Sequence, residues 1–166
     1  MTDFEGLIRS LTEGGVEFII VGGLAATAHG SARLTQDIDV VYSRSRDNVR
    51  KLVKALRPLK PYLRGAPPNL PFQWDDATVQ RGLNFTLTTS AGDLDLLGEV
   101  TGGGNFEALL PHTMLLRFFG RDCRCLDLAT LIKIKRAAGR PKDLEAVAEL
   151  EALVEERART PKGEPS

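Results

Sequence analysis

Apolar residues near the start of the chain recur at Phe4, Leu7, Ile8 and Leu11, the spacing of a helix with one buried face, and Gly14-Gly15 ends it. The period then changes. Residues 17–21 (Glu-Phe-Ile-Ile-Val) form a short β-branched run between two glycine pairs, which predicts a buried strand closed by a glycine turn. Residues 24–29 are small and helix-compatible, with Gly30 as a natural stop. Ile38, Val40 and Val41 mark a second buried strand. Val49, Leu52, Val53 and Leu56 give a helix over 48–59 that Pro58 stops. Residues 83–88 alternate, Ser90-Ala91-Gly92 turns the chain, and 93–97 read as the antiparallel partner. A short helix near 105–110, strands near 114–118 and 122–126, and helices over 128–138 and 141–157 complete the pattern, with Pro141 suited to a first helical turn. This order predicts an α+β (α/β-like) fold: a mixed central sheet, helices mainly on one face, and C-terminal helices.

Residues 61–76 hold four prolines (Pro61, Pro67, Pro68, Pro71) and read either as a lid over a site or as a long connection. The 166-residue length suits one domain, expected over 1–158, followed by a disordered polar tail at 159–166. Lys+Arg and Asp+Glu are both 22, so net charge gives no overall pull toward nucleic acid. The local distribution differs. Eight basic residues fall between Arg117 and Lys142, a stretch that leans toward polyphosphate or RNA, while six acids face one base between Asp143 and Arg157. Cys123 and Cys125 match no common zinc spacing and read as reduced thiols of a cytoplasmic protein. The first residues lack a signal-peptide pattern, and no apolar run is long enough to span a bilayer, so no membrane partner is expected.

The chemistry concentrates in Thr35-Gln36-Asp37-Ile38-Asp39-Val40. Alternate side chains of a strand share a face, so Asp37 and Asp39 project together, where two anions repel unless a cation lies between them. Such oxygen pairs suit Mg²⁺. Gly22-Gly23 sits between the first strand and a short helix, where backbone N–H groups can approach an anion and the helix N-terminus adds positive potential. A third acid would lie on a neighbouring strand, and Asp93 and Asp95 are the candidates. Asp93 follows a turn glycine, whereas Asp95 lies between Leu94 and Leu96, where an unpaired charge is costly; Asp95 is preferred. Lys135 shares a helix face with Leu128, Leu131 and Ile132, so it either snorkels to an edge or points into a cleft. His29 reads as structural.

The joint pattern Val21-Gly22-Gly23, Gly30-x-x-Arg33-x-Thr35-x-Asp37-Ile38-Asp39 resembles the DNA polymerase beta-like nucleotidyltransferase superfamily. Together with Leu131-Ile132-Lys133-Ile134-Lys135-Arg136-Ala137-Ala138-Gly139-Arg140-Pro141-Lys142-Asp143 it looks like the small bacterial branch that contains the AbiEii/MenA-type toxin nucleotidyltransferases. The resemblance implies transfer of NMP from a nucleoside triphosphate such as ATP to a hydroxyl. It implies two Mg²⁺ ions held by Asp37, Asp39 and Asp95, with Asp95 also placed to take the hydroxyl proton. Gly22, Gly23, Arg33, Thr35, Lys135 and Arg140 are implied as nucleotide contacts, while Arg33 also reads as a surface ion pair. Asp143 divides equally between a role in this segment and helix-end electrostatics. Implied acceptors are a tRNA or other RNA end, a small molecule or a protein, with an antitoxin protein as a candidate partner. The competing reading is a non-catalytic nucleotide-binding or partner-binding module of the same fold.

Overall fold

The computed structural model describes residues 2–159. The first half runs α1 (Phe4–Glu13), β1 (Phe18–Val21), α2 (Gly22–Ala28), β2 (Asp37–Tyr42), α3 (Arg46–Leu56), a 3-10 turn (Arg57–Leu59), β3 (Tyr62–Leu63), α4 (Asp76–Arg81) and β4 (Phe85–Thr89). The second half runs β5 (Gly92–Leu97), β6 (Glu99–Val100), β7 (Gly104–Asn105), α5 (Phe106–Leu109), β8 (Thr113–Phe118), β9 (Arg121–Leu126), α6 (Leu128–Ala138) and α7 (Pro141–Arg159). The part of the expected tail from residue 160 onward lies outside the described residues.

Seven strands form one sheet in the order β3-β4-β5-β2-β1-β9-β8. It is mixed: β1 pairs antiparallel with β2 and parallel with β9, while β5 pairs parallel with β2 and antiparallel with β4. This is the α+β class that the spacing predicts. Helix α1 packs on α3 and α3 on α4, while α6 packs on α7 and α2. No helix among the described residues is long and apolar enough to cross a membrane.

The apolar positions read from the sequence fill the core. Leu7, Ile8 and Leu11 of α1, Ile19 and Ile20 of β1, Ile38 and Val40 of β2, Leu52 and Leu56 of α3, and Leu94 and Leu96 of β5 are fully buried. Each such side chain stabilises the fold by roughly 1.5–3 kcal/mol relative to exposure. Four short elements carry no periodic signal: β3, α4, β6 and β7. Helix α3 starts at Arg46, two residues before the expected start, because Ser45 caps it by accepting from the Asn48 amide at 3.2 Å.

Asn48 fixes where β1 starts and β2 ends. Its buried side chain donates to the Glu17 carbonyl at 3.0 Å and the Ser43 carbonyl at 2.7 Å, and accepts from the Glu17 amide at 2.7 Å. Removing it leaves the Glu17 amide and the Ser43 carbonyl without partners, while the Glu17 carbonyl keeps the Ser43 amide at 3.2 Å. Unsatisfied buried groups cost about 1–3 kcal/mol each, with partial relief by water. Asn48→Ala is therefore expected to lower the unfolding free energy by about 3 kcal/mol, measured by urea denaturation; a loss below about 1 kcal/mol would contradict this role.

Candidate active site

Parallel pairing of β2 with β5 sets Asp37 opposite Asp93 and Asp39 opposite Asp95. Because both strands alternate, Ile38, Val40, Leu94 and Leu96 go to one face while the acids share the other, followed along it by Val41 and Leu97. One oxygen from each of Asp37, Asp39 and Asp95 lies within 4.8 Å of the others, a grouping that can hold a metal ion. Asp93 is outside that group. Burial, a hydrogen bond shared with Asp95 and the charges of Asp95 and Asp37 push the Asp39 carboxyl up to about 8, against a pull from Lys135 in the other direction.

The glycines are required by what packs on them, Asp39 on Gly22 and Thr35 on Gly23. Gly22 has φ +68°, and a Cβ there would sit 2.1 Å from Asp39 Oδ2. A Cβ on Gly23 would sit 2.6 Å from Thr35 Oγ1. The Thr35 hydroxyl donates to the Asp37 carbonyl at 3.0 Å, so it braces the start of β2. Arg33 pairs with Glu149 at 3.6 Å and Glu145 at 3.8 Å, both on α7. Glu149 also accepts from Ser31 Oγ at 2.6 Å, which ties the loop before β2 to that helix.

Lys135 and Arg140 are gathered by one acid. Asp143 is 2% exposed and accepts from Arg140 Nε at 2.6 Å, with Lys135 Nζ 3.8 Å away. The Arg140 hydrogen bond, then its charge and that of Lys135, hold the Asp143 carboxyl below its usual range despite burial. Asp143 is thus a hub for both cations rather than a free helix-end charge. Lys135, Arg140, Asp143 and Asp39 form a wall between two cavities. One, of about 480 Å³, is charged and includes Asp37, Asp95, Arg33 and Lys142. The other, of about 270 Å³, is lined by apolar Val100, Leu131, Ile134 and Ala138.

Arg64, absent from the sequence-derived set, joins the acids. It follows β3 at the sheet edge and places Nη2 2.8 Å from Asp95 Oδ1, Nε 3.4 Å from Asp93 Oδ2 and Nη1 3.8 Å from Asp37 Oδ2. Its sequence context of scattered prolines carries no periodic cue. His29 is buried, with Nε2 2.7 Å from the Leu126 carbonyl and Nδ1 3.2 Å from Arg157 Nη2, a structural setting. Cys123 and Cys125 are buried and free, their thiols pushed up to about 11 and about 12 mainly by burial.

No protein-family model and no curated protein matches the chain. Solved structures do. The lincosamide antibiotic adenylyltransferase LnuA, with lincomycin bound, aligns with a TM-score of 0.59 at 14% identity, over 92% of this chain and 98% of that one. ANT(2")-Ia in complex with adenylyl-2"-tobramycin aligns at 0.52 and 17% identity, over 93% and 95%. An antigenic nucleotidyltransferase-like protein from Paracoccidioides brasiliensis aligns at 0.51 and 14%, over 90% and 72%. The chain has the nucleotidyltransferase fold. Identities this low speak for the fold and leave the toxin branch and the acceptor to other arguments.

Within the nucleotidyltransferase fold, the donor set of Asp37, Asp39 and Asp95 fits a hard divalent cation: three carboxylates, no sulfur or imidazole, and close oxygen spacing. The raised Asp39 carboxyl gives a signed prediction. An unfolded aspartate titrates near about 3.9 and this one near about 8, so the folded, ion-free protein holds an extra proton between those values. That contribution to stability is complete below the unfolded value and is lost as pH rises toward 8. Ion binding must expel the proton, so divalent affinity is expected to climb with pH up to about 8, with proton release below it. Calorimetric titration in buffers of different ionisation enthalpy measures both, and Asp39→Asn should abolish the release. Gly22→Ala, combining positive φ with a clash on Asp39, is expected to lower the melting temperature and remove its increase on adding Mg²⁺, as read by thermal melts with and without the ion.

Proposed function

We propose that the chain is a divalent-metal-dependent nucleotidyltransferase that moves NMP from a nucleoside triphosphate to a hydroxyl of a small molecule. The observation that carries the reading is the convergence of Asp37, Asp39 and Asp95 beside the Gly22-Gly23 turn in a nucleotidyltransferase fold. Asp37 and Asp39 would hold one ion and share a second with Asp95. Bound ions supply charge neutralisation on the phosphates and a lowered pKa for the acceptor hydroxyl. Gly23 lines the charged cavity and Gly22 the apolar one, so their backbone borders the space the triphosphate would take. Lys135, held by Asp143, adds positive charge beside Asp39. The hydroxyl oxygen bonds to the α-phosphorus, the bond to pyrophosphate breaks, and Asp95 takes the hydroxyl proton.

Two cavities meeting at the Asp39 and Lys135 wall support a two-substrate transfer. The small-molecule acceptor rests on two points. Both LnuA and ANT(2")-Ia are described with antibiotics. The basic run from Arg117 to Lys142 is also broken up by pairing: Arg117 with Asp122, Arg121 with Glu13, Arg136 with Glu151, and Lys135 and Arg140 with Asp143. A continuous positive stripe for RNA is lost that way.

The test incubates the protein with each α-labelled NTP, Mg²⁺, and separately aminoglycosides, lincosamides and total tRNA. Label is expected on a small molecule, with pyrophosphate released. Asp37→Asn, Asp39→Asn and Asp95→Asn should each lower the rate about 10³-fold or more, about 4 kcal/mol in the barrier, while keeping a native circular-dichroism spectrum. Label on tRNA alone would reassign the acceptor. Undiminished transfer by the Asp39 variant, or no transfer to any acceptor with intact nucleotide binding, would favour the non-catalytic module.

A further inference from the structure

Arg64 touches three of the four carboxylates on the β2/β5 face. Its reach is fixed by backbone pairing: its amide donates to the Thr86 carbonyl at 3.0 Å, and Nη2 also donates to the Leu87 carbonyl at 2.7 Å as the side chain crosses β4. The result is a cation lying against the same acids that group to hold a metal. Asp95 is the point of conflict, because one of its two oxygens already accepts from Nη2 at 2.8 Å. A carboxylate bound to a guanidinium at that distance cannot offer the same lone pair to an ion, and like charges a few ångströms apart repel.

The segment bearing Arg64 is weakly anchored. Strand β3 has two residues at the sheet edge, flanked by Lys60 at φ +52° and Gly65 at φ +77°. Its ladder to β4 spans Tyr62 and Leu63 and is extended by the Arg64 amide. Short edge elements open at low cost compared with the core. Arg64 Nε is also shielded from solvent and, though 3.4 Å from Asp93 Oδ2, makes no hydrogen bond among the described residues. Both features favour a side chain that can leave.

We propose that Arg64 is a built-in competitor of the divalent cation for Asp95. The guanidinium holds the third acid when no ion is shared with it, and it releases Asp95 Oδ1 when one is. The ion held by Asp37 and Asp39 therefore binds more tightly than the ion that also needs Asp95. This rests on the reading of the three acids as metal ligands, given above.

The experiment is an Mn²⁺ titration of wild-type protein, Arg64→Gln and Arg64→Lys, following free Mn²⁺ by electron paramagnetic resonance. Wild-type protein is expected to take one equivalent and then a second at least tenfold more weakly. Arg64→Gln should tighten the second tenfold or more. It should also melt at a lower temperature than wild type without ions and gain more from added Mn²⁺. Arg64→Lys, which keeps the charge but loses the fork, should tighten the second equivalent by a smaller factor, and it carries the comparison if the Gln variant loses its native circular-dichroism spectrum. A second equivalent that binds a native variant no more tightly than wild type overturns the competition alone. Absence of Mn²⁺ binding by all three proteins overturns it together with the nucleotidyl-transfer reading.

Discussion

Four carboxylates on two paired strands repel one another, and much of the molecule is arranged around that repulsion. Their separation is not adjustable. Ile38, Val40, Leu94 and Leu96 are fully buried on β2 and β5, and a slip of one residue would exchange them with Asp37, Asp39, Asp93 and Asp95. Hydrophobic burial thus forces the acids together, and the neighbours must offset the charge. They do so in three ways: a guanidinium from the sheet edge at Arg64, an ammonium from α6 at Lys135, and a proton on Asp39.

The C-terminal helices are held by the same economy of charge. A buried carboxylate without partners is costly, and Asp143 avoids that only while Arg140 and Lys135 stay in reach. The start of α7 is therefore fixed to the end of α6. Its far end is fixed by Arg157, which donates to the carbonyl of His29 at 3.1 Å and to its ring nitrogen at 3.2 Å. His29 in turn reaches the Leu126 carbonyl, so it carries its ring proton on Nε2 by the partners it has. Between these ends Val147 and Leu150 are buried. Helix α7 is stitched along its length to the β2 loop and α2, which places Lys135 opposite Asp39.

What was legible in the sequence followed from periodicity. Alternation in 37–41 and 93–97 puts Asp37, Asp39 and Asp95 on shared strand faces, and the apolar face of 128–135 leaves Lys135 either snorkelling to an edge or pointing into a cleft. The β4/β5 hairpin was readable from its turn. The parallel pairing of β2 with β5, which makes neighbours of the acids, joins strands some fifty residues apart and has no local signature. Arg64 was invisible because β3 has too few residues to show a period. Composition along the basic run after Arg117 does not show partners: Glu13, which pairs Arg121, lies at the other end of the chain. Arg33 and Thr35 both line the cavity of the acids, and their polar groups are also engaged by α7 and by the Asp37 carbonyl, partners that no local pattern shows.

Internal neutralisation also loosens the link between folding and ion binding. Small metal domains whose ligands have no other partners are unfolded without the metal, because ion binding supplies the folding free energy. Here the acids already have Arg64, Lys135 and a proton, and more than thirty buried hydrophobic residues form the core without reference to the site. The core of the sheet therefore does not depend on an ion. Binding becomes an exchange in which a cation displaces the Asp39 proton and the Arg64 contact to Asp95, and its affinity is the difference between two sets of interactions. Such an exchange lowers the affinity below that of the same acids without competing cations. It suits an ion like Mg²⁺, which keeps several waters and gains its remaining oxygens from substrate phosphates rather than from an all-protein cage.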